Sequence, residues 1–261
     1  MYKREQLQTI AQETLELCKT GVYEVYGRTY NLQVQAAIYS AKLICSVPPH
    51  KPVTKSQTQI ECHNENTVQG IKAFQGTGKT ACLNFASARK PGGGFLNGAM
   101  AQEEFLAYSS TLYPTLIKFP EFYNQKHKDN TYSDTIIYSP NITFFRNSML
   151  QLAPPIIADV ITMAAPNASA TRNNITREDI FMHRIQKICT VARQEKVENL
   201  ILGAWGCGVF KNNPEIVADC FKKCLSEFNF KNVRFSILGP VIEKFEKLQT
   251  EHCSINDIDI T

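Results

Sequence analysis

Two adjacent glutamates follow closely behind three consecutive glycines, a spacing of residue types that can support chemistry. The run Gly92-Gly93-Gly94 has almost no side chain, so its backbone is free to adopt positive φ and to approach a phosphate. The run Gln102-Glu103-Glu104 then opens a stretch that is typical of a helix, as far as Tyr113. A carboxyl group there can give a proton to the leaving oxygen of a glycosidic bond. The pattern therefore suits a substrate that carries phosphates and a bond whose cleavage needs a proton.

The two glutamates also allow a purely structural interpretation. Acidic residues in the first turn of a helix interact favourably with the helix dipole. That position lowers the pKa of a carboxyl group, so a catalytic glutamate there needs desolvation by the bound substrate to keep its proton. The neighbouring glycine run favours the catalytic interpretation of Glu103 and Glu104.

A second glycine cluster lies between a strand predicted at 200–204 and a helix that Pro214 opens. Its sequence is Gly203-Ala204-Trp205-Gly206-Cys207-Gly208-Val209-Phe210. Ligands of open α/β sheets bind beyond the carboxyl ends of the strands, where backbone N–H groups form anion sites. Alone, the cluster is equally consistent with a tight structural turn. Together, the two loops predict two backbone cradles that converge on one diphosphate.

Two polar residues lie just before the first glycine loop. Asn84 and Ser87 close the short apolar strand predicted at 81–85. We therefore expect both side chains to contact ribose hydroxyl groups of the substrate.

Apolar periodicity predicts strands that alternate with helices along the chain. Helices are predicted at 3–19, 35–43, 66–74, 102–113, 176–194, 213–228 and 240–250, and strands within 22–34 and at 57–62, 81–85, 136–138, 142–145, 156–163, 200–204 and 233–238. This order predicts an α/β fold, with a mixed, largely parallel sheet and helices on both faces. Residues 1–55 are expected to form an accessory segment packed on a catalytic domain at 56–261.

Composition excludes several classes of function. The net charge is only +4, without a basic cluster, so we expect no direct nucleic-acid binding. No segment approaches the ~18 apolar residues of a membrane helix, and the first residues lead into an amphipathic helix rather than a signal peptide. Nine cysteines without zinc-site spacings predict reduced thiols and no metal. The expected protein is intracellular, not secreted, and a monomer.

One segment resembles a phosphate-binding P-loop. Ala73-Phe74-Gln75-Gly76-Thr77-Gly78-Lys79-Thr80 fits a relaxed form of that motif, which would make the chain an ATPase. A P-loop requires a strand before it and a helix after it. Here the predicted order is reversed, so Gly76 to Lys79 is interpreted as a turn from a helix into a strand.

Four separated motifs, in order, resemble the microbial-type poly(ADP-ribose) glycohydrolases. They are Arg4-Glu5-Gln6-Leu7 with Thr14-Leu15-Glu16, Asn84-Phe85-Ala86-Ser87 through Gln102-Glu103-Glu104, Tyr138-Ser139-Pro140 with Ala165-Pro166-Asn167, and Leu202 through Phe210. The resemblance implies a macrodomain-like fold with a helical N-terminal extension. It implies poly(ADP-ribose) and ADP-ribosylated proteins as partners, cleavage of the ribose–ribose O-glycosidic bond, and no metal or redox cofactor.

The resemblance also implies roles for individual residues. Glu104 takes the position of the general acid, Glu103 that of the carboxylate that orients ribose, and Phe210 that of an aromatic ring on the distal ribose. The sequence departs from the family at Asn66, where many members have an acidic residue, and at Ser87, where distant animal relatives have Asn. The alternative function is a non-catalytic reader of ADP-ribose, although a reader does not need the paired acids.

Overall fold

The computed structural model describes residues 2–125, 131–170 and 175–250. The helices are α1 Arg4–Thr20, α2 Val34–Ser40, α3 Thr67–Ala73, α4 Gln102–Ser109, α5 Leu112–Leu116, α6 Pro120–Tyr123, α7 Glu178–Gln194 and α8 Pro214–Leu225. The strands are β1 Val22–Val25, β2 Arg28–Asn31, β3 Lys42–Ile44, β4 Gln59–His63, β5 Thr80–Phe85, β6 Ile136–Arg146, β7 Leu152–Met163, β8 Asn199–Leu202 and β9 Asn232–Ser236. Short 3-10 turns lie at Phe95–Asn97, Ala168–Ala170, Pro240–Lys244 and Glu246–Leu248.

Seven strands form the central sheet, in the order β3-β6-β7-β5-β8-β9-β4. The five strands from β7 to β4 run parallel to one another, and β6 and β3 add antiparallel partners at one edge. The prediction of a mixed, largely parallel sheet is therefore confirmed. The edge strand β3 lies within residues 1–55, so the proposed accessory segment also contributes a strand to the sheet.

Helices cover both faces of this sheet, as predicted. Leu83 of β5 packs in the core cluster that includes Phe181 of α7 and Phe221 of α8. Its neighbour Cys82 points the other way, into the cluster that includes Ile71 of α3. Successive residues of a strand face opposite sides, so burial of both shows that β5 is covered on each face.

The N-terminal helix α1 packs against the segment that leads into α4. Leu7 and Ala11 share a core cluster with Phe95 and Tyr108. The Thr14 hydroxyl donates a hydrogen bond of 2.8 Å to the backbone carbonyl of Tyr108. Helix α1 therefore braces both the segment before α4 and the last turn of α4, and the two adjacent glutamates lie between these contacts.

Several predicted elements are shorter than their sequence patterns indicate. The helix predicted to reach Tyr113 ends at Ser109, because Ser110 is extended and forms a β-bridge with Phe144. The helix predicted at 35–43 ends at Ser40, because the next residues pair with β6 as the edge strand β3. The terminal helix predicted at 240–250 is a pair of 3-10 turns.

Other differences concern loops and strand ends. The strands predicted at 136–138 and 142–145 are one strand, β6, with a register shift around Asn141, whose φ is 53°. Part of the loop predicted at 166–174 lies outside the described residues, as does part of the connection at 118–134. None of the helices in the described ranges is long and apolar enough to cross a membrane.

Candidate active site

A large cavity of about 1,030 Å³ opens at the carboxyl ends of the parallel strands. Its wall includes residues that follow β4, β5, β7, β8 and β9. The site residues expected from the sequence that line it are Ser87, Gly93, Gly94, Gln102, Glu103, Glu104, Gly206, Cys207, Gly208, Val209 and Phe210. Three expected residues, Asn84, Gly92 and Gly203, are buried behind the wall and do not line it.

Glu104 lies on the wall, in the first turn of α4, and is 9 % exposed. Its Oε1 accepts a hydrogen bond of 2.8 Å from the Gly94 amide, and its Oε2 accepts one of 3.0 Å from the Ala101 amide. The second bond closes the N-terminus of the helix, because the carboxylate reaches back to the residue before the first turn. The carboxyl group is therefore held between the glycine loop and the helix that carries it.

Glu103 is more deeply buried, at 3 % exposure. Its Oε2 accepts a hydrogen bond of 2.7 Å from the Ser87 amide, and its Oε1 one of 3.4 Å from the Asn84 side chain. Burial raises the pKa of Glu103 to about 8, an increase that the Ser87 bond reduces and the charge of Glu104 augments. From the sequence, desolvation by the bound substrate is expected to keep a catalytic glutamate protonated. In the structure, the fold itself already desolvates Glu103.

The side chains of Asn84 and Gln102 both hold other parts of the site in place. Asn84 is fully buried and donates to Glu103 and, at 3.2 Å, to Thr162 Oγ1. The Gln102 side chain accepts from the Phe85 amide at 2.9 Å and donates to the Leu83 carbonyl at 2.7 Å. The expectation that Asn84 contacts ribose directly is therefore corrected: its amide group holds Glu103 in place.

Ser87 forms the corner of the first glycine loop. Its hydroxyl accepts hydrogen bonds of 3.2 Å from the amides of Arg89 and Lys90, while its own amide holds Glu103. The Ser87 side chain lines the cavity, but its oxygen is already engaged by the loop.

The amides of the first glycine loop also turn inward. The Gly92 amide donates a hydrogen bond to Glu103, and the Gly94 amide donates one to Glu104. The Gly93 amide donates to the Lys90 carbonyl at 3.0 Å. Gly93 has a φ of 60°, and an added Cβ would overlap Glu104 Oε1 and lie 3.0 Å from Glu103 Oε2. This loop therefore has no spare amide for a phosphate, which corrects the expectation of two cradles.

The second glycine loop, in contrast, presents three successive free amides. Within the described residues the N–H groups of Gly208, Val209 and Phe210 donate to no protein acceptor. Gly206 has a φ of 76° and turns the chain so that its carbonyl accepts from the Asn212 side chain at 2.9 Å. Consecutive unpaired amides that face a cavity form an anion-binding nest.

Gly203, Cys207 and the Phe210 side chain also belong to this loop. Gly203 is a packing position, because an added Cβ would lie 2.9 Å from both the Phe85 ring and the Ser236 carbonyl. Burial raises the pKa of the Cys207 thiol to about 12, so this group stays neutral beside an anion. The Phe210 ring packs at 5.9 Å against Tyr132, which the sequence analysis did not single out.

The far end of the cavity was not anticipated in full. It is lined by Glu65, Asn66, Thr67, Ser236, Ile237, Leu238 and Val241. The Glu65 carboxylate is bound by Arg234 at 2.6 Å and by the Ser236 hydroxyl at 2.9 Å, whereas the Asn66 side chain caps α3. Ser236 to Leu238 lie at and after the carboxyl end of β9. Ligands bind beyond the carboxyl ends of strands in open α/β sheets, so the rule that predicted both glycine loops would also have predicted this end of the cavity.

The P-loop-like segment lies at the amino ends of the parallel strands, at the opposite end of the sheet from the cavity. Helix α3 precedes it and β5 follows it, which confirms that Gly76 to Lys79 is a turn. Lys79 does not line the cavity but forms an ion pair of 3.0 Å with the buried Asp159. The structure therefore gives no support to an ATPase.

The family model of the microbial-type PARG catalytic domain matches residues 11–147, a segment that contains the first glycine loop and both glutamates. The chain belongs to this family. PARG denotes poly(ADP-ribose) glycohydrolase, so the chain is a glycosidase, and the alternative of a non-catalytic reader is not supported. No curated protein sequence matches the chain.

Solved PARG structures agree with this assignment over most of the fold. The enzyme from Thermomonospora curvata has a TM-score of 0.86 and 33 % identity, covering 94 % of this chain and 100 % of its own. The same enzyme bound to the inhibitor ADP-HPD has a TM-score of 0.84 and 34 % identity, with coverages of 94 % and 99 %. The enzyme from Deinococcus radiodurans in complex with ADP-ribose has a TM-score of 0.73 and 30 % identity, with coverages of 83 % and 96 %.

Proposed function

We propose that this PARG hydrolyses the ribose–ribose O-glycosidic bonds of poly(ADP-ribose), with Glu104 as the general acid. One observation carries the proposal: two fixed carboxyl groups and a nest of three free amides open into the same cavity. Such a cavity matches a ligand that has a diphosphate at one point and a ribose bond at another. The ADP-ribose complex of the Deinococcus radiodurans enzyme supports the choice of ligand.

The diphosphate is proposed to bind the amides of Gly208, Val209 and Phe210. Backbone amides suit this task because they are fixed in direction and carry partial positive charge toward an anion. The distal ribose then lies beside the Phe210 ring, and Glu103 accepts hydrogen bonds from its hydroxyl groups. The adenine ring extends to the apolar end of the cavity, where Ile237, Leu238 and Val241 lie.

The reaction needs one proton on the carboxyl pair. Glu103 and Glu104 are neighbours in one helical turn, and burial favours a protonated carboxyl there near neutral pH. We propose that Glu104 gives a proton to the leaving ribose oxygen as the glycosidic bond breaks, while Glu103 orients the ribose. A water molecule then adds to the anomeric carbon and returns its proton to Glu104, so that the enzyme is restored.

Several further properties are proposed with this function. ADP-ribosylated proteins are the proposed partners, because they carry the polymer that the cavity matches. Buried thiols such as Cys189 and Cys220 suit a reducing, intracellular environment. We also propose a monomer without direct nucleic-acid binding, and residues 1–55 as an accessory segment whose helix α1 braces the catalytic loop.

The test of this function is the Glu104→Gln variant, incubated with labelled poly(ADP-ribose) while free ADP-ribose is resolved from oligomers. Glutamine has nearly the same shape but cannot donate a carboxylic proton. Turnover is expected to fall by about 10²- to 10⁴-fold, the usual contribution of general acid catalysis, while ADP-ribose still binds. Hydrolysis at the wild-type rate would remove Glu104 from the mechanism.

A further inference from the structure

The wall of the cavity extends beyond the region that the terminal ADP-ribose unit occupies in the proposed placement. The cavity volume of about 1,030 Å³ lies at the upper limit of the roughly 300–1,000 Å³ of pockets for single small ligands. In the proposed placement, adenine, diphosphate and distal ribose occupy the region from Val241 to Glu104. The cavity wall nevertheless continues to Tyr2, Lys90, Met100, Ser148 and Leu150.

Strand order and packing together show where this continuation lies. Across the sheet, β4 and β9 carry the proposed adenine end, β8 the amide nest and β5 the glycine loop before Glu104. The turn that joins β6 to β7 starts from the amino ends of the parallel strands, but it packs back onto the segment between the glycine loop and α4, where Leu150 shares a core cluster with Phe95. The start of α1 contacts the same segment, because Arg4 Nε donates to the Asn97 carbonyl at 2.8 Å. The continuation therefore lies on the side of the carboxyl pair that this segment borders, and not on the side of the loops after β8 and β9.

Chemistry dictates what must occupy that side. The bond to be cut joins the distal ribose of the terminal unit to the adenosine ribose of the preceding, penultimate unit. When the anomeric carbon is at Glu104, the penultimate adenosine and its diphosphate must therefore leave past the carboxyl pair. No other part of the substrate is bound to reach this region.

The side chains there match an adenosine diphosphate. Tyr2 and Met100 are 39 % and 47 % exposed, and they present an aromatic ring and a polarisable thioether on which a base can stack. The Tyr2 hydroxyl donates to the Met149 carbonyl at 2.5 Å, which fixes the ring on the β6–β7 turn. Lys90 is exposed and forms no ion pair within the described residues, so its charge is free for a phosphate.

We infer that Tyr2, Lys90 and Met100 form a leaving-group subsite, which binds the penultimate ADP-ribose unit of the polymer. The inference rests on the proposed function, because that function places the terminal unit on the other side of Glu104. The subsite gives the enzyme a preference for polymer over a single ADP-ribose linked to a small or protein leaving group, which leaves the subsite empty.

The experiment compares the double variant Tyr2→Ala/Lys90→Ala with the wild type on two ligands. ADP-ribose, titrated by calorimetry, fills only the terminal unit's site, so its Kd is expected to stay within about a factor of two. Poly(ADP-ribose) oligomers fill both sites, so kcat/KM is expected to fall by about tenfold or more, since base stacking and a phosphate contact are both lost. The loss is expected mainly in KM.

A matched control and a rescue variant sharpen the result. Tyr39→Ala/Lys51→Ala removes an exposed tyrosine and an exposed lysine that do not line the cavity, and it should leave both measurements unchanged. Tyr2→Phe/Lys90→Arg keeps the ring and the charge, and it should retain most of the activity on oligomers.

The measurements distinguish a wrong subsite from a wrong proposed function. If the wild type cleaves oligomers and binds ADP-ribose but the Ala variant has an unchanged kcat/KM, the subsite is wrong and the proposed function stands. If the Kd for ADP-ribose rises as much as kcat/KM falls, the two residues belong to the terminal unit's site and the subsite is again wrong. If the wild type neither binds ADP-ribose nor cleaves oligomers, the proposed function fails and the subsite falls with it.

Discussion

A single methyl group at Gly93 should disable the carboxyl pair without touching either glutamate. Gly93 has a φ of 60°, and its Cβ would overlap Glu104 Oε1 and approach Glu103 Oε2 to 3.0 Å. Carboxylate oxygens normally lie more than 3 Å from a carbon, so Gly93→Ala must displace Glu104 by at least several tenths of an ångström. Misplacement of a catalytic group by about 1 Å can cost on the order of 10² in rate. We therefore expect kcat on poly(ADP-ribose) to fall by roughly 10- to 100-fold.

The same substitution carries a cost in stability, since alanine at positive φ loses about 1–2 kcal/mol. Thermal denaturation measures that cost, and turnover is then compared at a temperature where the variant is fully folded. Gly76→Ala is the matched control, because Gly76 also has a positive φ, of 79°, but an added Cβ there meets no atom within 4 Å and the residue does not line the cavity. A Gly93→Ala enzyme that is folded and turns over at the wild-type rate would refute the argument that this glycine exists for the carboxyl pair.

Three other predictions follow from the same geometry. Burial raises the pKa of Glu103 to about 8, so the stability that its protonated form provides is present at low pH and is lost as the pH rises through about 8. Glu103→Gln should therefore become more stable relative to the wild type between about pH 5 and pH 8, and a constant difference in Tm would contradict this. Gly208→Val should raise the Kd for ADP-ribose by about tenfold in calorimetry, with an unchanged circular dichroism spectrum, because the new side chain projects into open space near the nest. Lys79→Ala should leave turnover and ADP-ribose affinity within about a factor of two, since the six residues of β5, at ~3.3 Å each, separate it from the glycine loop. It should, however, lower the free energy of unfolding in urea by about 1–3 kcal/mol, since the buried Asp159 loses its ion pair.

The last of these predictions differs from what the sequence suggests. A lysine in a Gly-Thr-Gly-Lys turn resembles an exposed residue of little consequence, and its place far from the site can be inferred from the order of helix and strand. Its partner Asp159 lies in another strand, 80 positions away along the chain, and shares its carboxylate with Tyr138 and Asn141. Such long-range pairings leave no local pattern in the sequence.

The sheet and both glycine loops could be predicted because their signals are local. Apolar runs mark strands that are covered on both faces, and glycine runs at the carboxyl ends of those strands mark turns beside a ligand. The use of each amide could not be predicted in the same way. Whether an amide such as that of Gly94 faces a phosphate or a glutamate depends on where α4 docks. That docking depends on contacts with α1, such as the bond from Thr14 to Tyr108.

The extent of α4 shows a similar limit. The residues from Gln102 to Tyr113 include the run Ser109-Ser110-Thr111, whose helix propensity is only modest, but no glycine or proline there marks the end of a helix. The helix ends at Ser109 because Ser110 forms a β-bridge with Phe144 of β6. The Ser110 hydroxyl then accepts a hydrogen bond from the Leu112 amide. Tertiary pairing overrides helix propensity because the difference in propensity between residues is a fraction of 1 kcal/mol.

The balance of forces on the carboxyl pair explains how an acid can operate at a helix N-terminus. The helix dipole favours a charged carboxylate by about 0.3–1 kcal/mol, and at most by ~2 kcal/mol. The rise in the pKa of Glu103 from 4.5 to about 8 means that its surroundings disfavour the charged form, relative to water, by on the order of 5 kcal/mol. Burial therefore outweighs both the dipole and the amide of Ser87. The helix fixes the position of both glutamates, whereas the covering of Glu103 by the first glycine loop keeps that carboxyl group largely protonated near neutral pH.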